Sequence, residues 1–515
     1  MFNRYIQLFN TIKFLKPIQV QYRLYYFARK KLQIALKIKP IFSKESDSKN
    51  LNLKESIHIV NCYYKHNRFI FLNREKQFNK IDWNYSEYGK LWTYNLTYFD
   101  YLSQKDREDN LDLIYSFIEN IEHIKDGLEP FPISLRGINW IKYLSYHKIK
   151  DKSIDDNLYA QYYILVNNLE YHLLGNHLLE NSFSLLFGAY YFEDERLYQK
   201  AKDILVKELK EQILDDGGHF ELSPMYHQIM LFRLLDSINL IKNNIWKDDN
   251  LLNFLIKKSQ LMLGWLDSIS YQNGDIPMFN DSSNGIAPTT KQLLSYAKRL
   301  NLTIEKKPLL DSGYRKISKD SYESIVDIGE IGASYIPGHA HSDTFNFELR
   351  FNGRPFIVDM GLSTYETCDR RTIERSTLSH NTVEVNSKNQ SEVWGGFRVG
   401  NRANIIELKE SENYIKATHN GYKKDDILHT REWIFKEDRV IIKDKLSQPS
   451  DAIARFHFHP DITKEEIYNS FGLAQQTFQI KNYELSLGFN LKTEALLLEI
   501  KFHDFLLVEI LNLKK

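Results

Sequence analysis

The spacing of apolar residues divides the chain into two parts. From about residue 75 to 310, apolar side chains recur every three to four positions, and this period predicts amphipathic helices. Clear examples are the segments 111–118, 182–191 and 231–235. Short polar turns separate successive helical segments. Repeated helix pairs of this kind are typical of a helical solenoid or toroid.

The pattern changes after about residue 310, where apolar residues alternate with polar ones or run continuously over strand lengths. The examples are 348–351, 354–359, 381–385 and 439–443. Asn352-Gly353 stands between the first two of these segments and is a typical two-residue hairpin turn. Because helices come first and strands follow, the sequence predicts separate domains with a boundary near 305–320, and not an alternating βαβ fold.

Composition supports an ordinary globular protein. The 515 residues allow two or more domains, and with 43% hydrophobic and 26% charged residues neither wholesale disorder nor a coiled-coil rod is expected. Cys62 and Cys368 are the only cysteines, so no disulfide framework holds the fold. No apolar run approaches the ~18 to 20 residues of a membrane-spanning helix. We therefore expect a soluble α+β multidomain protein.

The formal net charge of +1 hides a strongly basic first segment. Residues 1–50 hold 11 Lys or Arg against Glu45 and Asp47, and aromatic residues are interleaved with the bases. A packed helix with solvated lysines is the favoured interpretation. The second interpretation is peripheral contact with an anionic membrane surface or a phosphate-rich polymer. No secretory signal is expected, because bases at 13, 16 and 23 interrupt any apolar core of a signal peptide.

The densest group of candidate catalytic or metal-binding residues lies in the strand half. His339 and His341 stand close together, Asp359 follows His341 by 18 residues, and His380 follows after a further 21. If 339–341 form a strand, the two histidines share one face. Two imidazoles and a carboxylate from neighbouring strands suit a divalent ion, with zinc the expected one. The spacing alone favours unrelated strand histidines, because it is not a local metal signature.

The helical half adds two polar segments, 175–181 and 215–227, in which turn-forming residues stand beside proton donors and acceptors. Taken singly, their side chains are more typical of helix caps and surface hydrogen bonds than of catalysis. The chain has no glycine-rich phosphate loop and no CxxC pair, so nucleotide cofactors and thiolate zinc sites have no support. Nucleic acid is not an expected partner.

Read together, these segments resemble the heparinase II/III-like family of polysaccharide lyases. The resemblance rests on 175–181, 216–227, 338–343, 356–361, 375–383 and 390–398. It extends in order from about residue 90 to 460. It implies an incomplete α/α toroid followed by an antiparallel β-sandwich domain. The expected organisation is a basic, aromatic-rich extension at 1–70, a toroid at 71–312 and a sandwich at 313–515.

The resemblance also implies a carbon-oxygen lyase that cleaves an anionic, uronic-acid-containing polysaccharide by β-elimination. Asn176 and His177 match the positions that neutralise the substrate carboxylate, Tyr226 matches a tyrosine acid or base, and His339 matches the catalytic histidine. Elimination needs such groups, since the weakly acidic C5 proton leaves only when the charge on the enolate is stabilised and O4 is protonated. Which of Tyr226 and His339 is the base stays open.

By the same resemblance, His341, Asp359 and His380 match the positions of the family's metal ligands. The implied ion is divalent, with zinc expected, and its role would be structural: it would brace the strands that hold the catalytic histidine. Two roles are equally compatible with Arg370, Arg371 and Arg375: binding substrate carboxylates, and forming salt bridges between the domains. Tyr365 is a second tyrosine candidate by position alone.

Two other function classes stay open. A glycoside hydrolase on the same toroid would need two opposed carboxylates, and Glu180, Asp216 and Glu221 are available. A non-catalytic glycan-binding or assembly protein for a surface exopolysaccharide is the third class. Family members are often periplasmic or in the cell envelope, whereas no signal peptide is expected here, so the compartment stays open. The identity and sulfation of the polymer and endo or exo action are likewise open.

Overall fold

The computed structural model describes residues 2–58, 62–64, 66–104, 110–247, 250–472 and 477–512. Helices occupy the chain up to residue 299, apart from a small three-stranded sheet within residues 63–77. The strands of the second half begin at residue 314. The predicted fold class, a helical toroid followed by an antiparallel β-sandwich, is confirmed. The helices are α1 (Phe2–Ile12), α2 (Pro17–Ala35), α3 (Lys90–Tyr98), α4 (Asn110–Asn120), α5 (Pro130–His147), α6 (Lys152–Val166), α7 (Gly175–Phe192), α8 (Glu195–Gln212), α9 (Pro224–Asn243), α10 (Leu251–Ile269), α11 (Thr290–Arg299), α12 (Asp369–Glu374) and α13 (Lys464–Ser470).

The helix α7 lies at the centre of the helical half, packed against α5, α8 and α9. Almost every side chain on it is buried, including Leu178, Phe183 and Leu186 at 0% exposure. A helix that is covered on all sides is mostly apolar, and its buried polar residues need partners: Glu180 pairs with Arg233, and Asn181 donates to Glu170. The catalytic candidates Asn176 and His177 occupy its first turn.

All strand pairs of the second half are antiparallel, and three sheets share one core. The sheet orders are β11-β12-β13-β14-β18, β16-β17-β15-β8 and β4-β5-β6-β7. The strands are β1 (Tyr63–Tyr64), β2 (Arg68–Phe71), β3 (Arg74–Gln77), β4 (Tyr314–Lys319), β5 (Tyr322–Asp327), β6 (Phe347–Phe351), β7 (Arg354–Ile357), β8 (Val383–Val385), β9 (Val393–Trp394), β10 (Arg398–Val399), β11 (Ile405–Ser411), β12 (Tyr414–His419), β13 (His429–Phe435), β14 (Arg439–Leu446), β15 (Ala452–His457), β16 (Thr477–Gly488), β17 (Leu491–Phe502) and β18 (Phe505–Leu511).

Local sequence explains the strand pairing. Buried and half-exposed residues alternate along β13, as expected for a strand with one face on the core. The predicted hairpin turn is confirmed: Phe351 pairs with Arg354, and Asn352 and Gly353 have φ values of 49° and 79°. Two successive positive φ angles are the signature of the turn type that matches the twist of a hairpin.

A small apolar cluster joins the helical half to the strand half. Trp265 of α10 packs with Tyr314 and Ile325 of the first two strands of the sandwich. The Trp265 indole donates a hydrogen bond to Ser312 (3.0 Å), and the Asp216 carboxylate accepts one from the Ser312 amide (2.8 Å). These contacts fix the two halves against each other and so hold the loops that meet at the candidate site. Within the described ranges, no helix is long and apolar enough to cross a membrane.

Candidate active site

A carboxylate from the helical half links the two histidines of the strand half. Asp281 follows α10 and is fully buried. Its Oδ2 lies 2.8 Å from Nδ1 of His339, and its Oδ1 lies 2.8 Å from Nε2 of His341. Both terminal nitrogens of Arg371 donate to the same carboxylate. Sequence reasoning missed Asp281 altogether, because Asn280-Asp281-Ser282-Ser283 has the composition of an ordinary polar turn.

The two histidines reach this carboxylate from an irregular loop. Residues 338–343 form no strand, so the condition under which His339 and His341 would share a strand face is not met. The loop is instead tied to the helical half through the backbone. The Asp281 amide donates to the His339 carbonyl (3.0 Å), and the His341 amide donates to Oδ1 of Asn280 (2.9 Å). These two bonds turn both imidazoles toward one acceptor.

Electrostatics keep Asp281 ionised and orient His339. Burial by itself would raise the pKa of the Asp281 carboxyl, but the Arg371 guanidinium and the two imidazoles outweigh it and hold that pKa well below its usual range. An ionised acceptor at Nδ1 of His339 favours the tautomer that carries its proton there. The other ring nitrogen, Nε2, is then an acceptor that faces the helical half.

Tyr226 lies in the first turn of α9, at the end of the polar segment 215–227. Pro224 begins the helix, and the Ser223 hydroxyl caps it by accepting from the Tyr226 amide (3.3 Å). The Tyr226 ring stacks on the His339 imidazole, with centroids 3.9 Å apart and planes at 30°. Its hydroxyl lies 3.2 Å from that of Tyr365. Burial raises the pKa of Tyr226 above its ordinary value, so the phenol is protonated in the resting site.

Asn176 approaches the same imidazole from the start of α7. Its Nδ2 lies 3.4 Å from Nε2 of His339 and donates to Oε2 of Glu221 at 2.8 Å. The other oxygen of Glu221 accepts from the Asn176 amide at 2.9 Å, so this carboxylate caps the helix. Gly175 makes the approach possible: its φ is 59°, and a Cβ there would lie 2.6 Å from Oε1 of Glu221.

His177 faces a different neighbour. Its Nδ1 lies 3.1 Å from Oε1 of Glu170, and its ring packs on Phe131 with centroids 4.9 Å apart. Burial works to lower the pKa of His177, but the Glu170 carboxylate outweighs it and raises that pKa. The structure thus brings Asn176, Tyr226 and His339 into contact, whereas His177 stands beside this group as a candidate cation.

A cavity of about 320 Å³ opens beside these side chains. Asn176 and Tyr226 line it from the helical half, and Tyr365 and Phe489 line it from the strand half. Its size lies at the lower end of the range for small-ligand sites, ~300 to 1,000 Å³. The stacked rings of Tyr226 and His339 leave no room for a sugar between their faces. A substrate in this cavity would therefore approach Tyr226 from the side of the ring that lines the cavity.

The predicted metal ligands His341, Asp359 and His380 are all buried. Asp359 accepts from Nδ1 of His380 (2.7 Å) and from the side-chain Nδ2 of Asn346 (2.6 Å), so it is engaged as a hydrogen-bond acceptor. His341 Nδ1 and His380 Nε2 are buried and have no hydrogen-bond partner in the described chain. The two histidines fit a metal, since a ligating imidazole typically rests its other nitrogen on a carboxylate. Nevertheless, the described residues contain no group of three or more such side chains arranged to hold an ion.

The three candidate arginines are occupied by protein groups. Arg371 pairs with Asp281 across the two halves. Arg375 donates to the Ala340 carbonyl (2.9 Å) and so supports the histidine loop through its backbone. Arg370 donates to Glu374 (2.7 Å). Of the two roles considered from the sequence, the structure therefore favours internal bracing, including a salt bridge between the halves.

The carboxylates that a hydrolase would need are also engaged. Glu180 forms a buried ion pair with Arg233. Asp216 accepts from Ser312, and Glu221 caps α7. Opposed carboxylates that activate water and protonate a leaving group need to face a substrate cleft. These three act instead as partners of neighbouring protein groups.

Two family descriptions match consecutive parts of the chain. "Heparinase II/III N-terminus" matches residues 155–302, and "Heparinase II/III-like, C-terminal" matches residues 302–491. Together they span both halves and every residue of the candidate site.

Similar proteins and structures agree with this match. A heparin-sulfate lyase of Bacteroides stercoris is 23% identical over 335 residues, 58% of this chain and 47% of the relative. A heparin-sulfate lyase of Pedobacter heparinus is 27% identical over 246 residues, 42% of this chain and 36% of the relative. The chain thus spans about half or less of these curated relatives. A crystal structure of heparinase III superposes with a TM-score of 0.63 at 16% identity, covering 98% of this chain and 93% of the other, which supports the fold alone.

Proposed function

Since the chain belongs to the heparinase II/III-like family, we propose that it is a polysaccharide lyase that cleaves a uronic-acid-containing polymer by β-elimination. One observation carries the proposal: His339, Tyr226 and Asn176, from three separate segments, are in contact, and Tyr226 and Asn176 line one cavity. The names of the two curated relatives, both heparin-sulfate lyases, support the same reaction class.

Asn176, Tyr226 and His339, with His177 beside them, offer the groups that β-elimination needs. Removing the C5 proton of a uronate builds negative charge on its carboxylate, and a positioned amide or cation stabilises that charge. Asn176 offers the amide, and His177, whose pKa is raised by Glu170, offers the cation. A base must then accept the C5 proton while an acid protonates O4, each contributing ~10² to 10⁴ in rate.

The resting protonation states suggest how the two proton transfers are divided. Nδ1 of His339 faces ionised Asp281, which favours the proton on that nitrogen and leaves Nε2, beside the Asn176 amide, as the atom that accepts the proton from C5. Tyr226 is a neutral phenol and is suited to donate to O4. We therefore assign His339 as the base and Tyr226 as the acid. Asp281 is a positioning residue, because it touches His339 and not the substrate.

The substrate we propose is an anionic polysaccharide, including the exopolysaccharides that surround cells. The support is chemical: an elimination of this kind requires a carboxylate at C5, and the Glu170 carboxylate raises the pKa of His177, which favours a positive charge beside Phe131 in the cavity wall. Sulfate groups would be compatible with the same charge.

We also propose a divalent ion, zinc, held by Nδ1 of His341 and Nε2 of His380, with Asp359 as a further ligand once it exchanges its bond to Nδ1 of His380 for the ion. The support is the pair of buried ring nitrogens without partners, and burial also lowers the pKa of His341 to about 4, which keeps it neutral as a ligand must be. When bound, such an ion would brace the loop that carries His339. No step of the elimination depends on it.

Product formation tests the proposed function directly. The purified full chain would be incubated with a panel of uronate polymers that differ in sulfation, and the absorbance of an unsaturated uronate would be followed. We expect the absorbance to rise with at least one polymer. Saturable binding to a polymer without any new absorbance would instead support a glycan-binding protein.

A further inference from the structure

The first two helices present an unusual surface. Tyr5 and Phe9 of α1 and Leu24, Phe27 and Ile34 of α2 are each between 61% and 68% exposed. We call these five side chains the arm surface. Single exposed apolar residues are common on proteins, but a group of large ones on two adjacent helices marks an interaction site.

The helix α2 docks on the body along one face, which combines polar groups with Ile18 and with the Tyr22 ring, whose centroid lies 4.6 Å from that of Tyr171. Gln19 donates to the Leu173 carbonyl (3.0 Å), and the Tyr26 hydroxyl donates to the Leu169 carbonyl (2.6 Å). Arg29 continues the same row of contacts with the carbonyl of Asn167. These positions recur at helical spacing and form one face, so Leu24 and Phe27 are left on the solvent side.

The helix α1 is oriented in the same way. Asn10 is 9% exposed, and the Thr11 hydroxyl accepts a hydrogen bond from the Trp394 indole (3.0 Å). Tyr5 and Phe9 meanwhile face outward. An ordinary surface helix buries its apolar stripe and exposes its polar one. Both helices also turn large apolar side chains to solvent, in addition to the solvated lysines that the interpretation favoured from the sequence, a packed helix, expects there.

The positive charge around the arm surface indicates what kind of partner covers it. Residues 1–39 contain nine Lys or Arg and no Asp or Glu. Lys30 and Lys31 are exposed close to Leu24 and Phe27. A second copy of the chain would bring the same positive charge to the contact, and an anionic polysaccharide would leave the apolar side chains without a partner. An anionic lipid surface matches both features, because it offers negative headgroups above an apolar layer.

We propose that the arm surface binds an anionic lipid membrane and lies in its interface without crossing it. The five apolar side chains would enter the boundary between headgroups and acyl chains, and the neighbouring lysines would pair with headgroups. This inference does not depend on the proposed chemistry of the cleft. It would place a polysaccharide-cleaving enzyme at a membrane, close to polymers that are made or trimmed there.

Vesicle flotation of the full chain tests the proposal. Vesicles of phosphatidylcholine alone would be compared with vesicles that also contain phosphatidylglycerol. Three double variants complete the set: Leu24→Ser with Phe27→Ser, Lys30→Gln with Lys31→Gln, and a control, Ile406→Ser with Phe505→Ser, which removes two apolar side chains that are 51% exposed on the sandwich. Circular dichroism and melting temperature would establish that each variant is folded.

We expect the wild type and the control to float with the anionic vesicles and not with the neutral ones. The Leu24/Phe27 and Lys30/Lys31 variants should each bind at least about tenfold more weakly. Failure of the wild type to float, or equal losses in the control, would overturn the proposal. Light scattering gives a second criterion: a dimer that the Leu24/Phe27 variant converts to a monomer would show that a second copy covers the arm surface.

Discussion

The imidazole of His339 lies nearly parallel to the phenol of Tyr226, with ring centroids 3.9 Å apart. The two residues are 113 positions apart in sequence and come from different halves of the molecule. One is set by the loop that pairs with Asp281, and the other by the capped first turn of α9. Because Tyr226 lines the cavity and His339 stacks directly on it, a group bound against the Tyr226 ring lies next to the imidazole.

The phenolic hydroxyl of Tyr226 should be essential to turnover and dispensable for folding. Tyr226→Phe keeps the ring that stacks on His339 but removes the proton donor, so we expect kcat to fall by ~10² to 10⁴. The measurement is the rate of unsaturated product formation together with the melting temperature. Tyr365→Phe is the matched control: it removes the other hydroxyl of the 3.2 Å pair, and a comparable loss there would move the acid role to Tyr365.

Asp281 should matter for stability as well as for activity. Asp281→Asn leaves the Arg371 guanidinium buried without a counter-charge, and removing one partner of a buried ion pair costs ~3 to 5 kcal/mol. Denaturant unfolding would measure that loss. Adding Arg371→Met should recover most of the stability but not the activity, since His339 would still lack its acceptor. Recovery of both would show that Asp281 acts only as a structural partner of Arg371.

The contribution of Asp281 to stability should depend on pH in a defined direction. Its folded pKa is depressed, so the stabilisation is fully present above the unfolded value of ~3.9 and is lost as the pH falls through the folded pKa. The difference in unfolding free energy between wild type and Asp281→Asn should therefore be constant near neutrality and shrink below about pH 4. A difference that grows on acidification would contradict the assignment of an ionised carboxylate.

The proposed ion should stabilise the sandwich half. If His341 and His380 hold zinc, elemental analysis of protein purified without chelators should find about one ion per chain, and chelation should lower the melting temperature. His380→Ala should remove both the ion and the effect of the chelator. If elemental analysis finds no stoichiometric ion and the chelator leaves the melting temperature unchanged, the proposed ion at His341 and His380 is contradicted.

The order of helices and strands could be predicted from the sequence, because the spacing of apolar residues along the chain reflects which side chains are buried. The change from a period of about 3.6 to one of 2 separates the helices that end at residue 299 from the strands that begin at residue 314. The hairpin at Asn352-Gly353 followed from residue type, since both positions need positive φ. Such features are local, and local sequence suffices for them.

Other features arise from contacts between distant segments and leave no local signal. Asp281 lies 58 residues before His339 and 90 before Arg371, so its part in the site follows only from the folded loops. The orientation of α1 and α2 was likewise hidden, because an amphipathic pattern does not say which face the protein body covers. The site residues taken from the family resemblance stay predictions until variants are measured.

The mass of the reaction products tests the central claim most directly. Elimination splits the chain without adding water, so one new end carries a double bond, whereas hydrolysis adds one water and leaves two saturated ends. For a defined uronate oligosaccharide, we predict wild-type fragments whose masses sum to that of the substrate, and no such fragments from Tyr226→Phe. Fragments heavier in sum by one water would contradict the assignment and make the protein a hydrolase.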